Sequence, residues 1–382
     1  MQSLYFEPCE LPPETETLRG EIREFLAETL TDYSPETLSR SWAGGDAAFS
    51  RKLGAAGYIG MRFPKKYGGQ ERTALERYVV IEELLAAGAP VTLHWIADRQ
   101  SGPLLLHYGT EKQRELCLPG IAAGEIYFCI GMSEPDSGSD LASIRTRAVK
   151  VDGGYVVNGT KIWTSKAHEA HYMIALFRTD TDVEDRHEGL TQFLVDMKTP
   201  GVTARPIRNM AGEEMFNEVS FVDAFVPEDM VVGKEGGGWQ QVLNELAFER
   251  SGPERYMSSH ILLHALIREA SQIPSARAAV TIGRLVAHYA TLRQMSLSVA
   301  GMQDAGADPS LAGSVVKDLG AVYEQDMPKI AHELVGADPQ LMGGSDFEKV
   351  LAYVTQAAIS FSLRGGTREI LRGIIARGLG LR

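Results

Sequence analysis

Twice along this chain the spacing of apolar residues changes, and that change limits the fold more than any other feature. From about residue 15 to 128 apolar residues recur at three- and four-residue intervals, the period of a helix face. ETLRGEIREFLAETL sets Leu18, Ile22, Phe25 and Leu26 on one such face, and ALERYVVIEELLAAG and TEKQRELCLPGIAAG repeat the character. Between Phe128 and about Val232 the pattern becomes short β-branched and aromatic runs split by turn signals: GGYVVNGTKIW, HYMIALFRTD, TQFLVDM, EVSFVDAFV. Gly153-Gly154 and Asn158-Gly159 are dipeptides of the hairpin type. From Gly238 the helical period returns in long segments of the kind used in bundles, with 301–310 as a linker between two of them. The expected fold is α+β: an N-terminal helical domain over 1–128, a small β-domain over 129–232, and a C-terminal bundle of four-helix type over 233–382.

Composition narrows the function by exclusion. A formal net charge of -12 offers no basic face for phosphate backbones, so no nucleic-acid partner is expected. Cys9, Cys117 and Cys129 are widely spaced and fit neither a disulfide framework nor a metal site. The opening twenty residues carry acidic residues and prolines without an apolar core segment, which does not read as a signal peptide. No apolar run approaches the length of a membrane span. The expectation is a reduced, cytoplasmic, soluble protein with no membrane insertion.

Two segments of the middle third carry unusual chemistry. Phe128 to Asp140, FCIGMSEPDSGSD, begins apolar and ends in a loop dense in Gly and Ser, able to offer backbone N–H groups and the hydroxyls of Ser133, Ser137 and Ser139. An ordinary Asp/Ser/Gly turn has the same composition. Farther on, GTKIWTS sets Trp163 beside Thr164 and Ser165, a flat surface with polar partners; a buried core Trp is the commoner reason for such a residue.

Taken together, MSEPDSGSDLASIRTRA and VNGTKIWTS resemble the signature of the acyl-CoA dehydrogenase family, whose usual forms are TEPGAGSD and NGxKxWxT. The resemblance extends to FPKKYGG, SGPLLLHYGTEKQRE and GGTREILRGIIARGLGLR, and to the order helical, β, helical. It implies FAD as cofactor, an acyl-CoA substrate, an electron-transfer flavoprotein as acceptor, and assembly as a homodimer, homotetramer or two-by-two heterotetramer. Residue by residue, it implies FAD contacts from Met132, Ser133, Trp163, Thr164 and Ser165, from Gln340, Gly343 and Gly344 in QLMGG, and from Thr367 and Glu369. Ser139 matches a serine at the junction of flavin and acyl-CoA, and Gly366 and Arg250 fall on the substrate side.

The family's reaction removes an α-proton and passes a β-hydrogen as hydride to flavin N5, so one carboxylate must reach the α-carbon. The usual base is the Glu of a YEGT motif, but SLRGGT here puts Gly365 at that position. A minority of members, isovaleryl-type enzymes among them, carry the Glu eleven residues after a Gly at a bundle-helix start, followed by Arg. Gly238, Glu249 and Arg250 match that spacing. Glu249 is thus the expected base; Glu254 is the rival, about 140° away if one helix continues through both. Pro253 cannot donate an N–H to the Glu249 carbonyl, so the helix is expected to kink there. The family's Arg-x-x-Phe-Gly loop is replaced by SQIPSAR from Ser271, which puts one set of FAD contacts across a dimer in doubt, and FERSGPERY resembles the bacterial steroid side-chain branch, whose two-by-two heterotetramers complete the site with a partner chain. A same-fold flavin monooxygenase or oxidase and a non-catalytic partner subunit are the competing readings.

Overall fold

The computed structural model describes residues 4–272, 275–336 and 344–381; within the helix that ends at Glu249, the side chains of 246–249 lie outside the described residues. Helix starts follow local chemistry. Thr73, Thr110 and Ser345 each accept the backbone N–H three residues on, while Glu76, Gln113 and Glu348 reach back to the cap N–H. The N-terminal part contributes α1 (Thr15–Thr29), α2 (Pro35–Ser39), α3 (Ala47–Ala55), α4 (Ala74–Ala86), α5 (Thr92–Ile96), α6 (Gly102–Tyr108) and α7 (Glu111–Ala122). Seven strands follow: β1 (Phe128–Gly131), β2 (Arg147–Val151), β3 (Gly154–Ser165), β4 (Tyr172–Arg178), β5 (Leu190–Asp196), β6 (Val202–Ile207) and β7 (Phe216–Pro227). The remainder is α8 (Gly238–Glu249), α9 (His260–Ser271), α10 (Ala276–Asp304), α11 (Ser310–Val335), α12 (Asp346–Ala357) and α13 (Arg368–Gly378). This is the expected succession of helical, β and helical parts.

By contacts the chain forms two compact units, one of residues 46–71 and 93–246, the other of 1–45, 72–92 and 247–382. The first holds the sheet, in the order β1-β4-β2-β3-β7-β6 with β5 on β4. Its core is aromatic: Phe177 meets Phe221 edge-on with ring centroids 5.1 Å apart, and Tyr155 meets Phe193 at 5.0 Å, among Val157, Val219 and Val226. The β2–β3 hairpin turns at Asp152-Gly153, where Gly153 has φ +77°. Asn158-Gly159, a hairpin signal by sequence, instead lies inside β3 beside a register shift against β7. Gly159 is needed there because its φ is +145° and a Cβ would come 2.6 Å from Thr146 Oγ1.

The second unit packs α1 and α4 with the C-terminal helices. Arg19 on α1 is buried between Glu82 and Glu83 of α4, and Arg293 of α10 reaches Glu82 at 2.6 Å from the other side. Helix α10 runs to Asp304, past the start of the expected 301–310 linker, which shrinks to the residues between α10 and α11. Gly301 is no turn signal: a Cβ there would come 2.8 Å from Cys9 Sγ, so the glycine admits the N-terminal segment against α10. Among the described residues no helix is long and apolar enough to cross a membrane.

Candidate active site

In the first unit, β1 delivers the chain into the loop that begins Met132-Ser133-Glu134, and β3 runs alongside it. The Ile162 N–H donates to the Ser133 carbonyl at 2.9 Å. Lys161, fully buried, donates from Nζ to the Met132 carbonyl at 3.0 Å and to Glu134 Oε1 at 2.8 Å. Glu134 also accepts the N–H groups of Arg145 at 2.6 Å and Thr146 at 2.9 Å. Burial works to raise the Glu134 carboxyl, but Lys161 and these donors together hold it below its ordinary range. Burial pushes the Lys161 ammonium down to about 8, against the pull of Glu134.

The end of β3 is bent by a bulge. Between Lys161 and Thr164 the strand spends one more residue than β7 does between Val219 and Asn217. The alternation of faces therefore breaks. Lys161 and Thr164 both point inward, and Trp163, at φ +58°, is 57% exposed. A left-handed conformation at a bulky residue costs about 1–3 kcal/mol and collects at functional sites. Asn217, wholly buried, holds the bend: its amide N–H donates to the Thr164 carbonyl at 3.0 Å, leaving Oδ1 to face His168 Nδ1 at 2.7 Å.

These features suit a flavin. Thr164 Oγ1 is buried without a hydrogen-bond partner in the protein, and an unsatisfied buried hydroxyl costs about 1–3 kcal/mol unless a ligand meets it. Trp163 presents an open aromatic face next to it. The structure sets Met132 and Ser133 beside the strand that carries Trp163, Thr164 and Ser165. Ser139 is exposed, farther along a loop that Ser137 closes on itself through its hydroxyl to the Asp140 carbonyl at 2.7 Å.

Helix α8 starts at Gly238, in the first unit, and its last residue, Glu249, belongs to the second. The Glu249 side chain lies outside the described residues, as do Gln340 and Gly343. Pro253 does more than kink the helix. The chain leaves helical geometry at Arg250 and resumes as a 3-10 turn over Pro253–Arg255. The rotation that separated Glu254 from Glu249 assumed one continuous helix and does not apply; Glu254 is buried on the turn, where its carbonyl accepts from Arg364 at 3.1 Å.

Arg250 is buried and donates from Nε to the Gly365 carbonyl at 3.3 Å, which ties the residue after α8 to the 362–367 turn. That turn is held by other cations. Lys317, fully buried, donates to the carbonyls of Ser362 at 3.1 Å and Gly366 at 2.6 Å. The Arg364 guanidinium lies 4.4 Å from the Trp42 ring centroid and 4.6 Å from that of Phe361, and pairs with Glu324 at 2.7 Å. Gly365 and Gly366 have φ +66° and +94°, so the turn favours glycine at the position of the usual base. Thr367 caps α13, exposed Glu369 lies in its first turn, and Gly344 precedes the Ser345 cap of α12. Glu134, Lys161, Lys317 and Arg364, which order these segments, are not among the expected site residues. Lys161 was legible in principle, since Tyr155, Val157 and Lys161 share the inward parity of β3.

Models of the acyl-CoA dehydrogenase middle and N-terminal domains match residues 129–224 and 12–125. The chain is 31% identical to acyl-CoA dehydrogenase FadE29 of Mycobacterium tuberculosis (strain ATCC 25618 / H37Rv), covering 96% of each. It is 34% identical to FadE34 of the same organism over 86% of this chain and spans only 45% of that relative's length. A solved structure described as the Tcur3481-Tcur3483 steroid ACAD superposes with a TM-score of 0.88 at 27% identity, over 98% of this chain and 99% of that one. Sheet and bundle, the signature strands and full-length relatives agree, and the chain belongs to the acyl-CoA dehydrogenase family.

Proposed function

We propose that this protein removes the α-proton of an acyl-CoA thioester with Glu249 while the β-hydrogen leaves as hydride, giving a 2-enoyl-CoA. FAD, when bound, supplies the hydride acceptor. The reading is carried by one observation: the turn with the glycine at the usual base position is left-handed at Gly365 and Gly366 and is tied to the residue after Glu249. A site whose turn favours glycine needs a base from elsewhere, and the end of α8 supplies a carboxylate at the family's alternative spacing.

The chain's own groups divide the work. Met132, Ser133, Trp163, Thr164 and Ser165 would hold the flavin, with the unpartnered Thr164 hydroxyl as a hydrogen-bonding group for it. Gly344, Gln340, Gly343, Thr367 and Glu369 complete the proposed FAD contacts, and Ser139 and Gly366 the acyl-CoA contacts. The Glu249 carboxylate takes the α-proton. Arg250 fixes the chain just past it through the Gly365 carbonyl. Steroid-like or branched acyl groups are the proposed substrates, supported by the likeness to a steroid enzyme at 27% identity over nearly the whole chain. That enzyme's name joins two components, and the FERSGPERY segment likewise favours assembly with a second chain. An electron-transfer flavoprotein is the proposed acceptor.

Anaerobic mixing with acyl-CoA tests the reading. The yellow protein should bleach, and Glu249→Gln should keep its FAD and fail to bleach. Bleaching that survives the substitution would assign the base elsewhere. A colourless chain that gains FAD only on co-expression with a second subunit would favour the non-catalytic alternative.

A further inference from the structure

The functional reading leaves one buried ion pair without a task. Lys161 is 0% exposed and Glu134 8% exposed, both inside the two segments assigned to the flavin. Burying such a pair gains little stability over apolar residues of the same size, so stability alone is a poor reason for it. Its connections are specific. Lys161 Nζ is within 3.0 Å of the Met132 carbonyl and 2.8 Å of Glu134 Oε1, and Glu134 in turn caps two N–H groups at the start of β2. The Phe177 ring, 5.7 Å from Nζ, closes the apolar side. One ammonium thus joins the loop carrying Met132 and Ser133 to the strand carrying Trp163, two residues before the bulge.

We infer that Lys161 and Glu134 are positioning residues that set the spacing between the Met132–Ser133 backbone and the Trp163–Thr164 bulge, and through it the binding and electronic properties of the flavin. The inference rests on the proposed use of these segments for FAD. The Met132 carbonyl is engaged by Lys161 and the Ser133 carbonyl by the Ile162 N–H, so β3 grips the loop at two successive residues. Without Nζ the Ile162–Ser133 backbone bond is what remains, among the described residues, of the hydrogen bonding between loop and β3, and a ring held between loop and bulge would meet both less well.

The experiment uses purified full-length protein and FAD itself as probe. Lys161→Met removes the donor, and the double change Glu134→Gln with Lys161→Met removes the donor without leaving a buried charge, should the single variant fail to fold. Three quantities are read: the FAD dissociation constant of the apoprotein, the visible spectrum of bound FAD, and its reduction potential. Either variant should weaken FAD binding at least tenfold, and the flavin that remains should show an altered spectrum and a shifted potential. Wild-type affinity in the folded double variant would overturn the inference. So would weakened binding with spectrum and potential unchanged, because a merely structural pair lowers occupancy without altering bound flavin. Wild-type protein that takes up no FAD would overturn the functional reading and this inference with it; the inference fails alone only where the wild type binds FAD.

Discussion

The β3 bulge and the 362–367 turn solve opposite problems. At the bulge, one buried ion pair orders the backbone, an aromatic ring stands open, and a buried hydroxyl is left without a partner. At the turn, the carbonyls of Ser362, Gly365 and Gly366 are all taken by internal cations, and Arg364 is clasped between two rings and a carboxylate. The first region has hydrogen-bonding capacity to spare. The second has committed these carbonyls, and its one unmet buried side-chain group among the described residues, Arg364 Nε, is a cation's donor and not a base. Open valence suits a polar ligand, whereas a left-handed turn whose carbonyls are taken and whose usual base position holds glycine supplies no carboxylate.

The largest expected effect tests that division. Glu249→Gln should lower the rate of flavin reduction by about 10³-fold or more, a general base being worth 10²–10⁴, while leaving FAD affinity near wild type. Stopped-flow bleaching separates the two. Next comes the turn. Arg364→Met strands Glu324, which is wholly buried, and should destabilise the chain by about 3–5 kcal/mol in denaturant unfolding. Replacing Glu324 by Met as well should recover most of the loss, because no uncompensated charge then remains. A double variant no more stable than the single one would place the loss in the contacts of Arg364 with Trp42, Phe361, Glu254 and Ser258 instead of in an unpaired charge.

Acid weakens the same unit through His260. Burial, and secondarily His264, lower its pKa from 6.5 to about 3. The unfolded chain therefore binds more protons than the folded one between those values, so stability falls as pH drops through that window. The loss should approach about 3–5 kcal/mol at its lower end. His264 and Tyr289 face His260, and Arg268 acts on His264, whose pKa burial lowers in the same direction. His260→Asn should flatten the fall in unfolding temperature between pH 7 and pH 4. An unchanged slope would show that His260 does not govern the acid sensitivity.

How much of this was legible in the sequence differs between the two regions. The helical and β parts follow from period alone, and Trp163, Thr164 and Ser165 stand out as a cluster of suitable chemistry. What period cannot convey is the bulge, because an extra residue in β3 appears only against its partner β7. Asn158-Gly159 misled for the same reason: a dipeptide that favours a turn also tolerates a strained strand, and the Thr146 contact that decides between them is remote in sequence. At the turn, Gly365-Gly366 marks a missing base, yet Lys317 and Arg364 on periodic helical and turn segments look like solvated charges. Their burial is a tertiary fact. Glu254 was weighed on a continuous helix, which Pro253 ends.

The smallest effect is the sharpest test of the open region. Thr164→Val keeps the shape of the side chain and removes the hydroxyl that has no protein partner. In the FAD-free protein this should be neutral or stabilising by up to about 1 kcal/mol, since an unsatisfied buried polar group disappears. In the FAD-bound protein the same change should cost about 1 kcal/mol of binding, a fivefold weakening, because the hydroxyl then has a partner to lose. Opposite signs in the two states would mark Thr164 as a group kept for the ligand. Equal destabilisation of both would mean that it serves the strand, and the contrast between the open bulge and the saturated turn would narrow to the exposed face of Trp163.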